Sequence, residues 1–329
     1  MKTSKSLYLY FFLSILFLLI GAFLGLILGA KTISLHDIWT AFLSPKDILE
    51  HQLILDVRLP RMLCTLLVGG LLGISGTLMQ KVTRNPIAEP SILGISQGAT
   101  LALSLLYVNT AWVTSSNILL ASFLGAMIAG SFVIAFTTRN PSNLSMGRLL
   151  LAGTAMSTFF LSLSTVISLL TNQSQMIGFL VGGGFRNTSW LNVIQLFIVC
   201  IIATPALIYL SPKINTLALG DELCIGLGEQ PGRIRFMTLL LIVPFTAVCV
   251  AVAKNISFVG LIIPAITSRM VSKDVRILLP CSFLAGSILL VFADTLARML
   301  LSPYETPIGI FTSLLGIPFF LYLIRKERG

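Results

Sequence analysis

The sequence has 329 residues, of which 56% are hydrophobic and only 10% are charged. Soluble domains carry about a quarter charged residues, so this composition excludes an ordinary soluble protein. It predicts a chain that faces mostly lipid or other apolar helices. The formal net charge is +10. The positions of the basic residues along the chain indicate whether this charge reflects membrane orientation or a binding surface.

Ten apolar segments approach or exceed the roughly 20 helical residues that cross a bilayer. Backbone polar groups in lipid must be bonded within their own segment, so these segments are predicted to be helices. The chain is therefore predicted to be an all-α polytopic membrane protein, with about ten transmembrane helices in a single domain over 1–329. The segments lie at 7–30, 62–80, 91–108, 116–136, 148–170, 190–210, 235–253, 258–271 (the shortest), 277–297 and 307–324.

The basic residues are divided unevenly between the two sides that these segments define. The first segment follows Lys2 and Lys5, but it is too long for the apolar region of a signal peptide and is interpreted as a retained helix. With ten spans, the side that holds both termini carries 15 basic residues and the other side carries 7. The positive-inside rule then places both termini in the cytoplasm of a multi-pass cell-membrane protein. The charge follows membrane orientation and gives no indication of nucleic-acid binding.

The spans carry almost none of the carboxylates and histidines with which ion-coupled carriers bind their driving ion. Asp294 is the nearest case, and its i,i+4 spacing predicts a pair with Arg298. The sequence has no GxxxxGK[ST] phosphate loop, no nucleophile–base constellation and no CxxC pair among its five cysteines. No catalytic residue, metal site or bound cofactor is expected, so uphill transport would draw its energy from a partner.

The longest polar stretch on the cytoplasmic side is SPKINTLALGDELCIGLGEQPGRIR, residues 211–235. Pro212 is predicted to end one helix. One or two short amphipathic helices follow, with Asp221 and Glu222 in a first turn. Two interpretations stay open here: a connector on the membrane surface, or an apolar projection that docks into a soluble subunit.

Two glycine- and proline-rich stretches could line a pathway. The first is RNPIAEPSILGISQGA (84–99), whose prolines and glycines predict a stiff turn. This turn either narrows a pore or is an ordinary loop between two spans. MIGFLVGGGFRNTSW (176–190) is predicted to hold a short re-entrant helix broken by Gly182, Gly183 and Gly184. Irregular backbone at membrane depth has to face protein or a water-filled cavity.

Several ordered blocks show that the chain resembles, nearly end to end, the ten-helix FecCD permease family. Its members serve binding-protein-dependent ABC importers of ferric siderophores, haem and cobalamin. The resemblance implies a type II importer fold. The matching stretches are DVRLPR (56–61), RNPIAEPSILGISQGA (84–99), RLLLAG (148–153), LALGDE (217–222), FVGLIIP (258–264), LLPCSFLAG (278–286), ADTLARMLL (293–301) and ETPIGIFTSLLGIPFFLYLI (305–324).

The resemblance implies partners and roles for particular residues. It implies a second permease copy or paralogue, two ATPase subunits that hold ATP and Mg²⁺, and an extracytoplasmic binding protein. Arg58, Arg61 and Arg298 are the implied docking residues, with exposed guanidiniums that orient the binding protein, and snorkelling at helix ends is the competing explanation. Asn85, Ile87 and the short helix at about 175–186, which includes Gly182, Gly183 and Gly184, are the implied gate. The implied ATPase contact lies in coupling helices at about 213–232, at Leu219, Gly220, Asp221, Glu222, Leu227 and Gly228.

The sequence also departs from the family pattern at several positions. Ala265 replaces a histidine and Arg269 falls one place late, Phe179 or Leu180 stands for a tryptophan, and Cys224-Ile225 replaces Ala-Arg. A ferric siderophore is the expected cargo, with haem and cobalamin as alternatives, and a homodimer and a heterodimer are both open. An ion-coupled secondary carrier is the alternative class.

Overall fold

The computed structural model describes residues 4–29, 31–137, 146–172, 182–302 and 304–327, and over these residues the chain is helical with no strand. Two short 3₁₀ turns, at Pro90–Leu93 and Thr110–Trp112, connect helices. The α-helices are α1 (Ser4–Ile27), α2 (Leu35–Leu43), α3 (Leu49–Gln52), α4 (Leu59–Thr83), α5 (Ile95–Tyr107), α6 (Ser115–Thr137), α7 (Met146–Leu170), α8 (Trp190–Ala218), α9 (Asp221–Gly226), α10 (Pro231–Ala253), α11 (Val259–Met270), α12 (Val275–Met299) and α13 (Ile308–Glu327).

Each of the ten predicted apolar segments coincides with one of these helices. Seven helical stretches in the described part of the chain are long and apolar enough to cross a membrane: those containing α1, α4, α6, α7, α8, α10 and α12. The other three segments correspond to α5, α11 and the apolar part of α13, which are shorter. The prediction of a helical membrane protein is confirmed, while the crossing of a bilayer by all ten segments stays a prediction.

The predicted end of a helix at Pro212 is wrong, because α8 continues through Pro205 and Pro212 to Ala218. Proline removes one backbone donor, but Ile214 and Leu217 beyond it are fully buried. The packing of this last part of α8 against the rest of the bundle outweighs the local cost of the proline.

The bundle is built around α4, which is mostly buried and packs against α12, α11, α10 and α8. Small residues allow the closest of these approaches. A Cβ atom added to Gly69 would lie 2.3 Å from the carbonyl oxygen of Gly286, and one added to Gly286 would lie 2.1 Å from that of Gly69. Close backbone contact of this kind supplies the van der Waals packing that holds helices together where lipid removes the hydrophobic drive.

A π-helical turn, Leu53–Arg58, joins α3 to α4, so that one continuous helical stretch leads into the centre of the bundle. The turn leaves the carbonyl oxygen of Leu55 available to the indole Nε1 of Trp190, which donates to it at 3.1 Å. Such turns are common at functional sites.

The two ends of α4 define the two ends of the bundle. Arg58 and Arg61 lie at its start and Arg84 follows its last residue. At about 1.5 Å per residue the 25 residues of α4 span roughly 37 Å, which exceeds the ~30 Å of a bilayer's hydrocarbon core. We call the first the arginine end and the second the α9 end, because Arg84 contacts Asp221 of α9.

Gly286→Ala should destabilise the fold strongly, because its methyl group would overlap the backbone of α4. Gly147→Ala is the matched control, since a Cβ there meets nothing within 4 Å. We expect the control to leave stability unchanged or slightly raised, by up to about 1 kcal/mol for alanine over glycine in a helix. Melting temperatures of the two purified variants in detergent test this, and equal melting temperatures would contradict the close packing.

Candidate functional site

The arginine end holds a buried ion network that joins three parts of the chain. Asp294 of α12 accepts hydrogen bonds from Nε and Nη2 of Arg61, the shortest at 2.8 Å. The same carboxylate lies 3.1 Å from Nε of Arg298, one helical turn further along α12. On its other side Arg61 donates to both carboxylate oxygens of Glu305, at 2.6 and 3.3 Å. Charges removed from water in this way are stable only when they are closely paired.

Two arginines at this end also satisfy the C-terminal carbonyl groups of α1. Arg58 donates to the carbonyl oxygens of Leu26 and Ile27, at 2.5 and 2.8 Å, and to that of Lys31. Arg298 donates to those of Gly25 and Leu28, at 3.0 and 3.3 Å. The last carbonyls of a helix have no partner within the helix, and cations are favourable beside them.

The expectation that Arg58, Arg61 and Arg298 expose their guanidiniums is therefore wrong. Their exposed fractions are 5%, 7% and 9%, because carbonyl and carboxylate groups of the same chain surround them. The predicted pair of Asp294 with Arg298 is confirmed, whereas its stronger partner Arg61 was missed. The docking role assigned to these arginines stays a prediction.

A cavity of about 480 Å³ opens beside this network. It is lined by Gly183 and Gly184 of the predicted gate, and by charged residues from four parts of the chain: Arg61, Arg186, Lys254 and Glu305. Gly184 donates its backbone N–H to the carbonyl oxygen of Ala253 at 2.9 Å. The carbonyl oxygen of Asn255 lies 2.4 Å from where a Cβ of Gly183 would stand. The glycine segment is thus packed on the end of α10.

The predicted gating helix at 175–186 lies mostly outside the described residues, which resume at Gly182. Over the described part, Gly182 packs against Pro307 before α13. The remaining gate residues, Asn85 and Ile87, do not line this cavity and lie in the loop after α4. There the side-chain oxygen of Asn85 accepts from the backbone N–H of Ile87 at 3.0 Å, so the loop is held in a tight turn. Of the five predicted gate residues, Gly183 and Gly184 line the larger cavity.

The loop after α4 is fixed at its other end by Glu89. Its carboxylate accepts the backbone N–H of Phe258 at 2.7 Å, at the start of α11. A side chain from one loop thus satisfies a free donor of a helix that begins inside the bundle. Glu89 also lines a second, much smaller cavity together with Lys254.

At the α9 end, a short helix is anchored by charge. Asp221 accepts from Arg84 and from Arg235, the latter at 2.8 Å. Arg84 also donates to the carbonyl oxygen of Leu217 at the end of α8, at 2.7 Å. Cys224 is the buried residue of α9, and burial together with the charges of Glu229 and Asp221 raises the pKa of its thiol. Three helices therefore hold α9 in place.

The outer face of α9 is apolar. Leu219, Leu223, Ile225 and Leu227 are all more than half exposed, and Glu222 is exposed beside them. Gly220 and Gly228 flank the helix with φ values of 125° and 81°, which only glycine adopts without strain. The predicted short amphipathic helix and its acidic first turn are confirmed. The six residues expected to contact an ATPase thus lie together on one projection.

The sequence interpretation missed Lys254, Glu89 and Glu305 as site residues. Glu305 could have been found as the one acid of the 305–324 block on the same side as the arginines. Lys254 and Glu89 stand outside the helices, where no helical periodicity of the sequence marks a residue. Only the tertiary fold brings them to the cavities.

Asp294→Asn should destabilise the protein by about 3–5 kcal/mol, because it leaves Arg61 and Arg298 with less than their full compensation in a buried site. Glu50→Gln is the control, since it breaks an exposed pair with Lys31 and should change little. Thermal unfolding in detergent measures both. If Asp294→Asn melts together with the control, the network does not stabilise the fold.

Comparison with known proteins agrees with this architecture. The model of the FecCD transport family matches residues 17–326. The permease FhuB of the iron(3+)-hydroxamate import system of Bacillus subtilis is 40% identical over 94% of this chain and 81% of its own length. The ferric enterobactin permease FepD of Escherichia coli is 34% identical over 96% and 95%, and the hemin permease HmuU of Yersinia pestis 35% over 92% and 90%.

The fold agrees as well. A solved structure described as an inward-facing conformation of a metal-chelate type ABC transporter superposes with a TM-score of 0.84 at 28% identity, covering 98% of this chain and all of that one. The relatives are transport subunits and not enzymes. Because the family model matches nearly the whole of this chain, the chain belongs to the FecCD transport family as a membrane permease.

Proposed function

We propose that this chain is the permease half of an ABC importer that brings a ferric siderophore into the cell. A separate ATPase that holds ATP and Mg²⁺ drives it, and a binding protein outside the membrane delivers the cargo. Haem and cobalamin are the alternative cargoes. The observation that carries the proposal is the apolar face of α9, held rigidly by Asp221 between Arg84 and Arg235.

A rigid apolar projection suits mechanical coupling. Helix faces of this kind dock into grooves of partner proteins, and the ion pairs of Asp221 join α9 to the ends of α4 and α10. Movement of α9 by a nucleotide-driven partner would therefore reach the helices that line the cavity at the other end. We place the α9 end and both termini in the cytoplasm, because that side carries most of the basic residues. In support, α1 ends and α13 begins at the arginine end.

A second permease copy or a paralogue is proposed to cover α7. This helix packs little of its surface against the rest of the chain, and it carries exposed hydroxyl side chains at Thr154, Thr158, Ser162 and Thr165. Three of these hydroxyls bond to the helix backbone one turn earlier. A polar stripe on an otherwise apolar span favours a partner helix or a water-filled pathway over lipid.

The ferric siderophore is proposed from the relatives. Their names mention iron-hydroxamate, iron-citrate, enterobactin and hemin, so an iron chelate is the shared class of cargo. The cavity of about 480 Å³ at the arginine end supports entry of a cargo there, on the side on which we place the binding protein.

Leu223→Asp should abolish ATP-driven uptake, because it puts a charge on the apolar face of α9 without touching its anchors. The measurement is radio-iron uptake into proteoliposomes that hold the complete importer, with co-purification of the ATPase as a second readout. Leu43→Asp in α2 is the control, since Leu43 is similarly exposed at the opposite end. We expect at least a tenfold loss for Leu223→Asp only.

Two outcomes would contradict the coupling proposal. One is a Leu223→Asp variant that retains its ATPase and full uptake. The other is a vesicle that holds this chain alone, accumulates the chelate and loses it when an uncoupler is added, which would indicate a secondary carrier.

Arg58→Gln should weaken association with the binding protein if the arginine end is the docking surface. Arg58 is the cleanest of the three predicted docking residues to change, because its described partners are carbonyl groups and its loss strands no carboxylate. Glutamine is shorter and loses the bonds that the Nη atoms make, so the melting temperature of the variant is measured first. Lys273→Gln, an exposed change at the α9 end, in the segment between α11 and α12, is the control. Surface plasmon resonance on folded variants measures association, and an unchanged affinity for Arg58→Gln would remove it from the docking surface.

A further inference from the structure

Lys254 stands at the junction of the two cavities described above. It follows the last residue of α10 and lines both the 480 Å³ cavity at the arginine end and the smaller cavity that reaches Glu89 and the start of α11. Among the described residues, it is the one that lines both cavities.

The ammonium group of Lys254 differs from the other cations of the cavity in its partners. Arg61 is paired with Asp294 and Glu305, and Arg186 with Glu305. Among the described residues, Nζ of Lys254 makes a single hydrogen bond, to the carbonyl oxygen of Ala251 at 2.8 Å, and pairs with no carboxylate. A partly buried cation without an anion beside it is unfavourable, and the ammonium has two further donors to offer.

The backbone of Lys254 is also strained. Its φ of 61° and ψ of −146° lie close to a region that is essentially restricted to glycine. Strained residues of this kind persist where the surrounding structure holds them and they cluster at ligand sites. Glycine would fit this position with less strain, so the lysine side chain is retained against a local cost.

We propose that Lys254 binds an anionic oxygen of the cargo, and that the cargo is therefore a ferric chelate with net negative charge. This inference rests on the proposed function. Of the described residues that line the larger cavity, three are cationic (Arg61, Arg186 and Lys254) and one is acidic (Glu305). Arg61 and Arg186 share Glu305, so the charged residues of the lining carry an excess of positive charge, and Lys254 is the lining cation with no carboxylate partner among the described residues.

The test is equilibrium binding of radio-iron citrate, an anionic chelate, to the transporter in nanodiscs without its binding protein. Lys254→Met keeps the length of the side chain and removes its charge, and should weaken binding at least tenfold. Lys46→Met, the same change at an exposed position outside the cavity, should leave it unchanged. A neutral ferric trihydroxamate should bind the wild type and Lys254→Met alike. Absence of ferric citrate binding to the wild type, or equal binding by Lys254→Met, would overturn the inference.

Lys254→Gly separates a ligand-binding role from a structural one. The variant relieves the backbone strain, so its melting temperature should rise while ferric citrate binding falls as in Lys254→Met. A lysine that only bonds the end of α10 would give a variant that still binds the chelate. Uptake by proteoliposomes is scored separately: Lys254-dependent binding without ATP-driven uptake would contradict the proposed function and leave the anion site standing.

Discussion

The carboxylate of Asp294 is the group on which the arginine end depends. It compensates two buried guanidiniums, Arg61 and Arg298, and these bond in turn to Glu305 before α13 and to the last carbonyls of α1. Four helices thus meet at one negative charge. Since a buried cation that loses its partner is costly, moving any one of these helices away from the network carries an electrostatic cost.

The same network explains what an arginine-rich helix start does in an apolar chain. Arg58 and Arg298 bond the C-terminal carbonyls of α1, which would otherwise be unsatisfied near lipid. These two arginines therefore complete the end of α1. At the other end of the bundle, Arg84 and Arg235 act similarly toward Asp221, but there the result is a fixed projection with an exposed apolar face.

Much of the fold could be predicted from the sequence, because an apolar segment of about 20 residues is recognisable as a helix long enough to span a bilayer. All ten segments are helices, and the i,i+4 pair of Asp294 and Arg298 was predicted from spacing alone. What could not be predicted depends on distant parts of the chain meeting. Arg61 and Asp294 are 233 positions apart, and the burial of the arginines follows from that meeting. The continuation of α8 past Pro212 likewise depends on the packing of Ile214 and Leu217.

The π-helical turn at Leu53–Arg58 determines which way the side chains of α4 face relative to those of α3. A turn of this type holds one more residue than an α-helical turn, which rotates the succeeding side chains by about 100° relative to a regular helix. Deleting a single residue here would let the stretch relax to an uninterrupted α-helix and would swing either α3 or the two arginines to a different face. The length of this segment is thus as constrained as its composition, and the indole of Trp190 on the Leu55 carbonyl marks the register in which it is held.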